Sequence, residues 1–184
     1  MKKFLIFTSI AVASIFIIGA IAFVFIKKNT KQFSPEEGVS FNHGEVEIRV
    51  QYNRPYKKGR EIFGGLVPYG KVWRTGANEA TIFETNKDLR IEGKILRKGK
   101  YTLWTIPTEE TWTVVFNTEV GQWGVNFDGE ANRNPDKDAL QVVVHAVKQE
   151  REFEQFTISF EKTGEDAEMV LIWDKTLVAV PIIF

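Results

Sequence analysis

The sequence predicts an all-β domain, an antiparallel β-sandwich or jelly-roll-like fold, behind one N-terminal transmembrane helix. Three observations carry this. Short runs of alternating apolar and polar residues recur through residues 45–184, separated by turns rich in Gly, Pro, Asn and Asp. β-Branched and aromatic residues fill those runs, and no amphipathic helical pattern follows residue 30. An uncharged apolar stretch, residues 4–26, precedes the rest.

That stretch follows Lys2 and Lys3 and is closed by Lys27 and Lys28. A helix over residues 4–26 would rise roughly 35 Å at about 1.5 Å per residue, enough for a hydrocarbon core of about 30 Å. A cleaved signal peptide is the rival, because Ala20, Ile21 and Ala22 form a small-x-small site. The apolar run continues beyond it to Ile26, so an uncleaved single-pass anchor over residues 1–28 is expected, with the domain exported. Residues 29–44, "NTKQFSPEEGVSFNHG", read as a polar linker, and residues 45–184 as the domain.

The domain's strands follow in order. "EVEIRVQYNR" sets Val46, Ile48, Val50 and Tyr52 on one face and Glu47, Arg49 and Gln51 on the other. Pro55 ends it by removing a backbone donor. "ATIFETN", "LRIEGKIL", "YTLWTIP" and "TWTVVFN" come next, the last pair joined by a hairpin-length connection. "ALQVVVHAVKQ", "FEQFTISFEK", "AEMVLIWD" and "KTLVAVPIIF" complete the set, with turns expected at residues 164–166 and at Asp174-Lys175.

Composition narrows the function classes. The chain has no cysteine, which excludes disulfides, thiolate catalysis and cysteine-ligated metals. Its formal charge is zero, but residues 1–31 hold five Lys and no acid, leaving 19 basic against 24 acidic side chains in the remainder. An acidic domain of this kind is not expected to bind nucleic acid. One segment, residues 49–74, is locally basic: Arg49, Arg54, Lys57, Lys58, Arg60, Lys71 and Arg74 stand against Glu61 alone.

Within it, "GGLVPYGKVW" (residues 64–73) resembles most of a phosphate-binding loop. Such a loop needs a hydroxyl after the lysine, free amides and a helix to follow. Here Val72 takes the hydroxyl position, Pro68 removes an amide, and "VWRTGANE" is poor helix. A glycine-rich turn between strands is the expected reading.

The stretch "RPYKKGREIFGGLVPYGKVWRTGANEAT" (residues 54–81), with "LRKGKYTLWTIP", "WTVVFNTEVGQWG" and the terminal "FTISF…LIW" strands, resembles an uncharacterised bacterial family, domain of unknown function twenty-nine-eleven. The resemblance covers nearly all of residues 34–184. It implies an exported all-β bacterial domain; together with the anchor expected over residues 1–28, the reading is a bacterial cell-membrane protein with its C-terminal domain on the periplasmic side. It implies no activity.

The candidate ligand site is Arg54, Lys58, Arg60, Trp73, Arg74, Asn78 and Glu79. Arginine forks bind carboxylates and phosphates, and an aromatic adds a stacking face. The leading expectation is a non-enzymatic binding or envelope-associated module for a small anion, peptide or glycan. The alternative is a hydrolase or lyase using Glu79 as acid/base, with Arg74 or Arg60 stabilising charge. Against both stands a purely mechanical reading, in which the arginines tie down a long crossover by pairing with Glu79 or Glu61. Of the five tryptophans only Trp73 and Trp123 stand in loop context, whereas Trp112 alternates with Val114 and Phe116 as core. His43 and His145 share no ligand spacing, and His145 is expected to be a hydrogen-bonded strand residue. "NFDGEANRNPDKD" (residues 126–138) places an oxygen side chain at every second position, and a solvated loop is expected there rather than a calcium site. No metal and no cofactor is expected.

Overall fold

The computed structural model describes residues 2–184, except for the side chains of residues 2–13, 22, 23, 26 and 27. It divides into two compact units, residues 1–33 and Ser34–Phe184. The first is helix α1, Lys2–Phe33. Among the described residues no helix is long and apolar enough to cross a membrane. Many side chains of the expected membrane segment, residues 4–26, lie outside the described residues.

The second unit is all-β. Its nine strands among the described residues form one large antiparallel sheet in the order β1-β2-β3-β6-β7-β8-β9-β4-β5. They are β1 Glu36–His43, β2 Val46–Asn53, β3 Thr81–Thr85, β4 Leu89–Ile91, β5 Lys94–Leu96, β6 Gly99–Pro107, β7 Thr111–Asn117, β8 Asp138–Thr163 and β9 Asp166–Ile183. One core holds apolar residues from β2, β3, β6 and β7 together with those of β8, β9 and β4, an arrangement consistent with a β-sandwich.

β2 realises its alternation: Ile48, Val50 and Tyr52 are buried while Arg49 and Gln51 are exposed. Trp112, Val114 and Phe116 of β7 are likewise core. Across the interior the Tyr52 hydroxyl accepts from the Ile158 amide at 2.8 Å, and its ring meets Phe156 edge-on.

Four expectations are corrected. Residues 36–43, read as linker, form β1, because backbone pairing with β2 from Glu36↔Asn53 to His43↔Val46 outweighs a polar composition. "LRIEGKIL" is a two-stranded hairpin, β4-β5, turned at Glu92 and Gly93, both at positive φ as in a type I′ turn. The two runs within residues 138–163 are one strand, kinked by register shifts between Lys148 and Phe153 and between Phe153 and Thr157. Asp174-Lys175 is no turn: β9 runs through it, with Asp174 at φ 53° opposite Phe153.

Candidate functional site

The P-loop-like stretch is closed by its own backbone. The Val67 amide donates to Ile62 O at 2.8 Å, the Gly64 amide to Val67 O at 3.0 Å and the Gly70 amide to Pro107 O at 2.8 Å. Its amides serve the turn and the end of β6, and Trp73 then bridges to Thr105 of β6. Gly65 permits the fold by close approach, since a Cβ there would lie 2.7 Å from Glu61 O.

The basic residues part into two groups. Residues 54–60 run along β8, with Tyr56 bridging Gln155 and the Phe156 amide donating to Pro55 O at 3.0 Å. Arg54 Nε donates to Phe156 O at 3.1 Å, its Nη2 to Thr157 Oγ1 at 2.7 Å and its Nη1 to Glu37 at 3.3 Å. Lys57 Nζ sits 2.7 Å from Asp174 and 2.9 Å from Glu152. Its hydrogen bonds, to Asp174 first and Glu152 second, hold the ammonium above the usual lysine range. The Lys58 amide donates to Glu154 Oε1, and the Arg60 guanidinium donates back to the carbonyls of Lys57 and Tyr56. Arg54 and Arg60 thus fasten the crossover. Lys57, outside the sequence-based candidate set, fastens it to β8 and β9 as well.

Trp73 faces the interior rather than solvent. Its ring stacks on Trp173 at 5.9 Å and meets Phe63, Trp112 and Phe156 edge-on, while its indole N–H donates to Gly76 O at 3.0 Å. The cluster sets the crossover on the core and engages the half-buried ring in aromatic packing.

Arg74, Asn78 and Glu79 remain together. Asn78 Nδ2 donates to Asn53 Oδ1 at 3.4 Å, and Asn53 Nδ2 donates to Glu79 Oε2 at 3.1 Å. Asn53, the last residue of β2, therefore holds the Glu79 carboxylate. Arg74 lies close enough for the Glu79 charge to support its guanidinium, yet burial outweighs that support and lowers its pKa. Arg74 Nε is buried without a hydrogen-bond partner.

A loop over residues 118–134 covers this place. The Ala80 amide donates to Gln122 O at 3.3 Å, and the Asn132 amide to Gly124 O at 3.4 Å. Gly124, at φ 98°, lies against the Arg74 stem, where a Cβ would come within 2.5 Å of Cδ. Beneath the loop Ala80, Trp104 and Val115 form a small second core, with Val72 and Ala131 packed on it. Gln122 Oε1 and Asn132 Oδ1 are also buried without partners. Asn53 and Gln122 were not singled out from the sequence, and Asn132 was read only as part of the oxygen-rich stretch. Asn53 ends β2, Gln122 and Asn132 lie ten residues apart in the loop, and only folding brings the three to residues 74–80.

The oxygen-rich stretch folds on itself. Asn126 Oδ1 accepts from the amides of Asp128 and Glu130, Asn134 Oδ1 caps a 3-10 helix at Pro135–Lys137, and Asp138 pairs with Arg133. His43 pairs with Glu165 at 3.2 Å, whereas His145 is exposed on β8. Among the described residues no group of three or more His, Cys, Asp or Glu could hold a metal ion.

Residues 34–182 match the model of a family described as protein of unknown function, DUF2911. No curated protein and no solved structure matches the chain.

Proposed function

We propose that this chain, which belongs to the DUF2911 family, is a binding module for a small anionic ligand received at Arg74, beside Asn78 and Glu79. One observation supports the reading: the Arg74 guanidinium is largely withdrawn from water, and its Nε has no partner. A desolvated arginine with an open donor gains more from an anion than a hydrated one does. A peptide carboxylate or an acidic glycan would supply that anion. The apolar run over residues 4–26 supports a single-pass anchor in the bacterial cell membrane, with the domain on the exported side.

Thermal shift of the intact chain in mild detergent, titrated with carboxylates, phosphate and acidic sugars, tests this. A saturable rise in Tm that disappears in Arg74→Gln, with the variant still folded, is the expected result. Absence of any shift with the whole panel overturns the reading.

The carboxylate fixed by Asn53 supports a second reading, a hydrolase or lyase with Glu79 as acid/base. The two separate on Glu79→Gln and on recovery of the bound compound. A binding module returns its ligand chemically unchanged, whereas an enzyme converts it and Glu79→Gln stops the conversion.

A further inference from the structure

Three polar atoms are buried without partners on residues that meet around Gly124. They are Arg74 Nε, Gln122 Oε1 and Asn132 Oδ1. The meeting is defined by contacts: the Arg74 stem lies against Gly124, Asn132 donates to the Gly124 carbonyl, and Gln122 stands two residues earlier, its carbonyl bonded to Ala80. One of the three is a cationic donor and two are neutral acceptors. Native proteins leave few such groups unpaired, and each loses its hydration without return when the loop lies down.

The loop has a build suited to lifting. Gly121, Gly124 and Gly129 all sit at positive φ, and the backbone bond from the Ala80 amide of the crossover to Gln122 O is long, at 3.3 Å. Its inner residues carry polar atoms, whereas a cover that is merely structural would present apolar ones, as Ala131 does to the cluster of Ala80, Trp104 and Val115.

We infer that the loop over residues 118–134 is a lid that closes on the ligand, with the Gln122 and Asn132 side-chain carbonyls accepting from a donor group adjacent to the anion on Arg74. This rests on the Arg74 reading and sharpens it. The ligand class is a carboxylate with a neighbouring O–H or N–H, an α-hydroxy acid or an N-acylated α-amino acid, rather than a bare carboxylate or phosphate. Such a ligand supplies the acceptor that Arg74 lacks and one hydrogen that Gln122 Oε1 and Asn132 Oδ1 share, so closure gives each of the three atoms a partner.

The test uses acetate, glycolate and N-acetylglycine on the intact chain. Glycolate and N-acetylglycine are expected to bind about tenfold more tightly than acetate, the equivalent of roughly one added hydrogen bond. In a Gln122→Leu, Asn132→Leu double variant the preference should collapse while acetate binding persists. Hydrogen exchange of the unaltered chain gives an independent readout: glycolate should protect the amides of residues 118–134, and acetate should not. Equal binding of all three compounds, lost in Arg74→Gln, overturns the lid but keeps the Arg74 site. Binding of none overturns both. A preference that survives in the double variant, or unchanged exchange of the loop with glycolate bound, overturns the lid and leaves ordered water as the partner of these atoms.

Discussion

Lys57 Nζ lies 2.7 Å from Asp174 Oδ1, joining the crossover after β2 to the point in β9 where the backbone turns to positive φ. Glu152, on the bulged part of β8, holds the same ammonium from another side at 2.9 Å. One lysine therefore ties together three segments whose regular pairing is interrupted there.

Its titration predicts an alkaline limit. The folded-state pKa of Lys57 is raised above the usual value of about 10.4, so the stabilisation is complete below that pH and is lost as pH rises through the folded value. Lys57→Met should lower Tm at pH 8, and the gap to the unaltered chain should narrow above about pH 10.4. A gap that stays constant from pH 8 to pH 11 would show that the ion pairs are idle.

Arg54 and Arg74 should respond differently to one substitution. Arg54→Met leaves the Phe156 carbonyl and Thr157 without their donor and should cost about 2–3 kcal/mol in urea unfolding. Arg74→Met removes a desolvated charge whose Nε bonds nothing and keeps the stem against Gly124, while withdrawing a cation from Glu79, so the ligand-free protein should lose less than Arg54→Met does. Equal losses would make Arg74 a fastener like Arg54.

Trp73 should behave as core. Trp73→Ala opens a gap among Phe63, Trp112, Phe156 and Trp173 and should cost about 3–5 kcal/mol. Trp73→Phe should retain much of the stability and, by ending the stacked pair with Trp173, reduce the near-ultraviolet circular dichroism. An unaltered spectrum would place the ring outside the cluster.

Gly124 sets how closely the loop can lie on Arg74. A Cβ there would meet Arg74 Cδ at 2.5 Å and the Ala80 amide nitrogen at 3.1 Å, on a backbone at φ 98°. Gly124→Ala should destabilise by at least about 2 kcal/mol or displace the loop, seen as faster exchange at residues 118–134. Gly129→Ala, with open space around its Cβ, should cost less than about 2 kcal/mol, the strain of its positive φ alone.

Much of the fold was legible because its cause is local. The alternation in "VEIRVQY" decides which side of β2 is buried whatever its neighbours, and "TWTVVFN" reads the same way. Pro68 and Val72 argued against a phosphate loop on their own chemistry. What escaped was decided by pairing. Polar β1 is a strand because β2 supplies its hydrogen bonds, and β8 continues through its charged middle because the crossover pairs with it there, Tyr56 with Gln155 and the Lys57 amide with Glu154 O, where its pairing with β9 falls to Phe153 and Asp174.

The same division runs through the candidate site. The sequence by itself determined that residues 54–81 carry a concentration of cations, aromatics and glycines in a crossover between strands. Only the tertiary structure decided that Arg54 serves β8, that Lys57 serves β9, that Trp73 serves the core, and that Arg74 keeps an unbonded donor under a loop from residues 118–134. The reason is separation along the chain. Arg54 finds the Phe156 carbonyl 102 residues away and Lys57 finds Asp174 117 residues away. A side chain's charge is written in its own residue, but its partner is chosen by the fold.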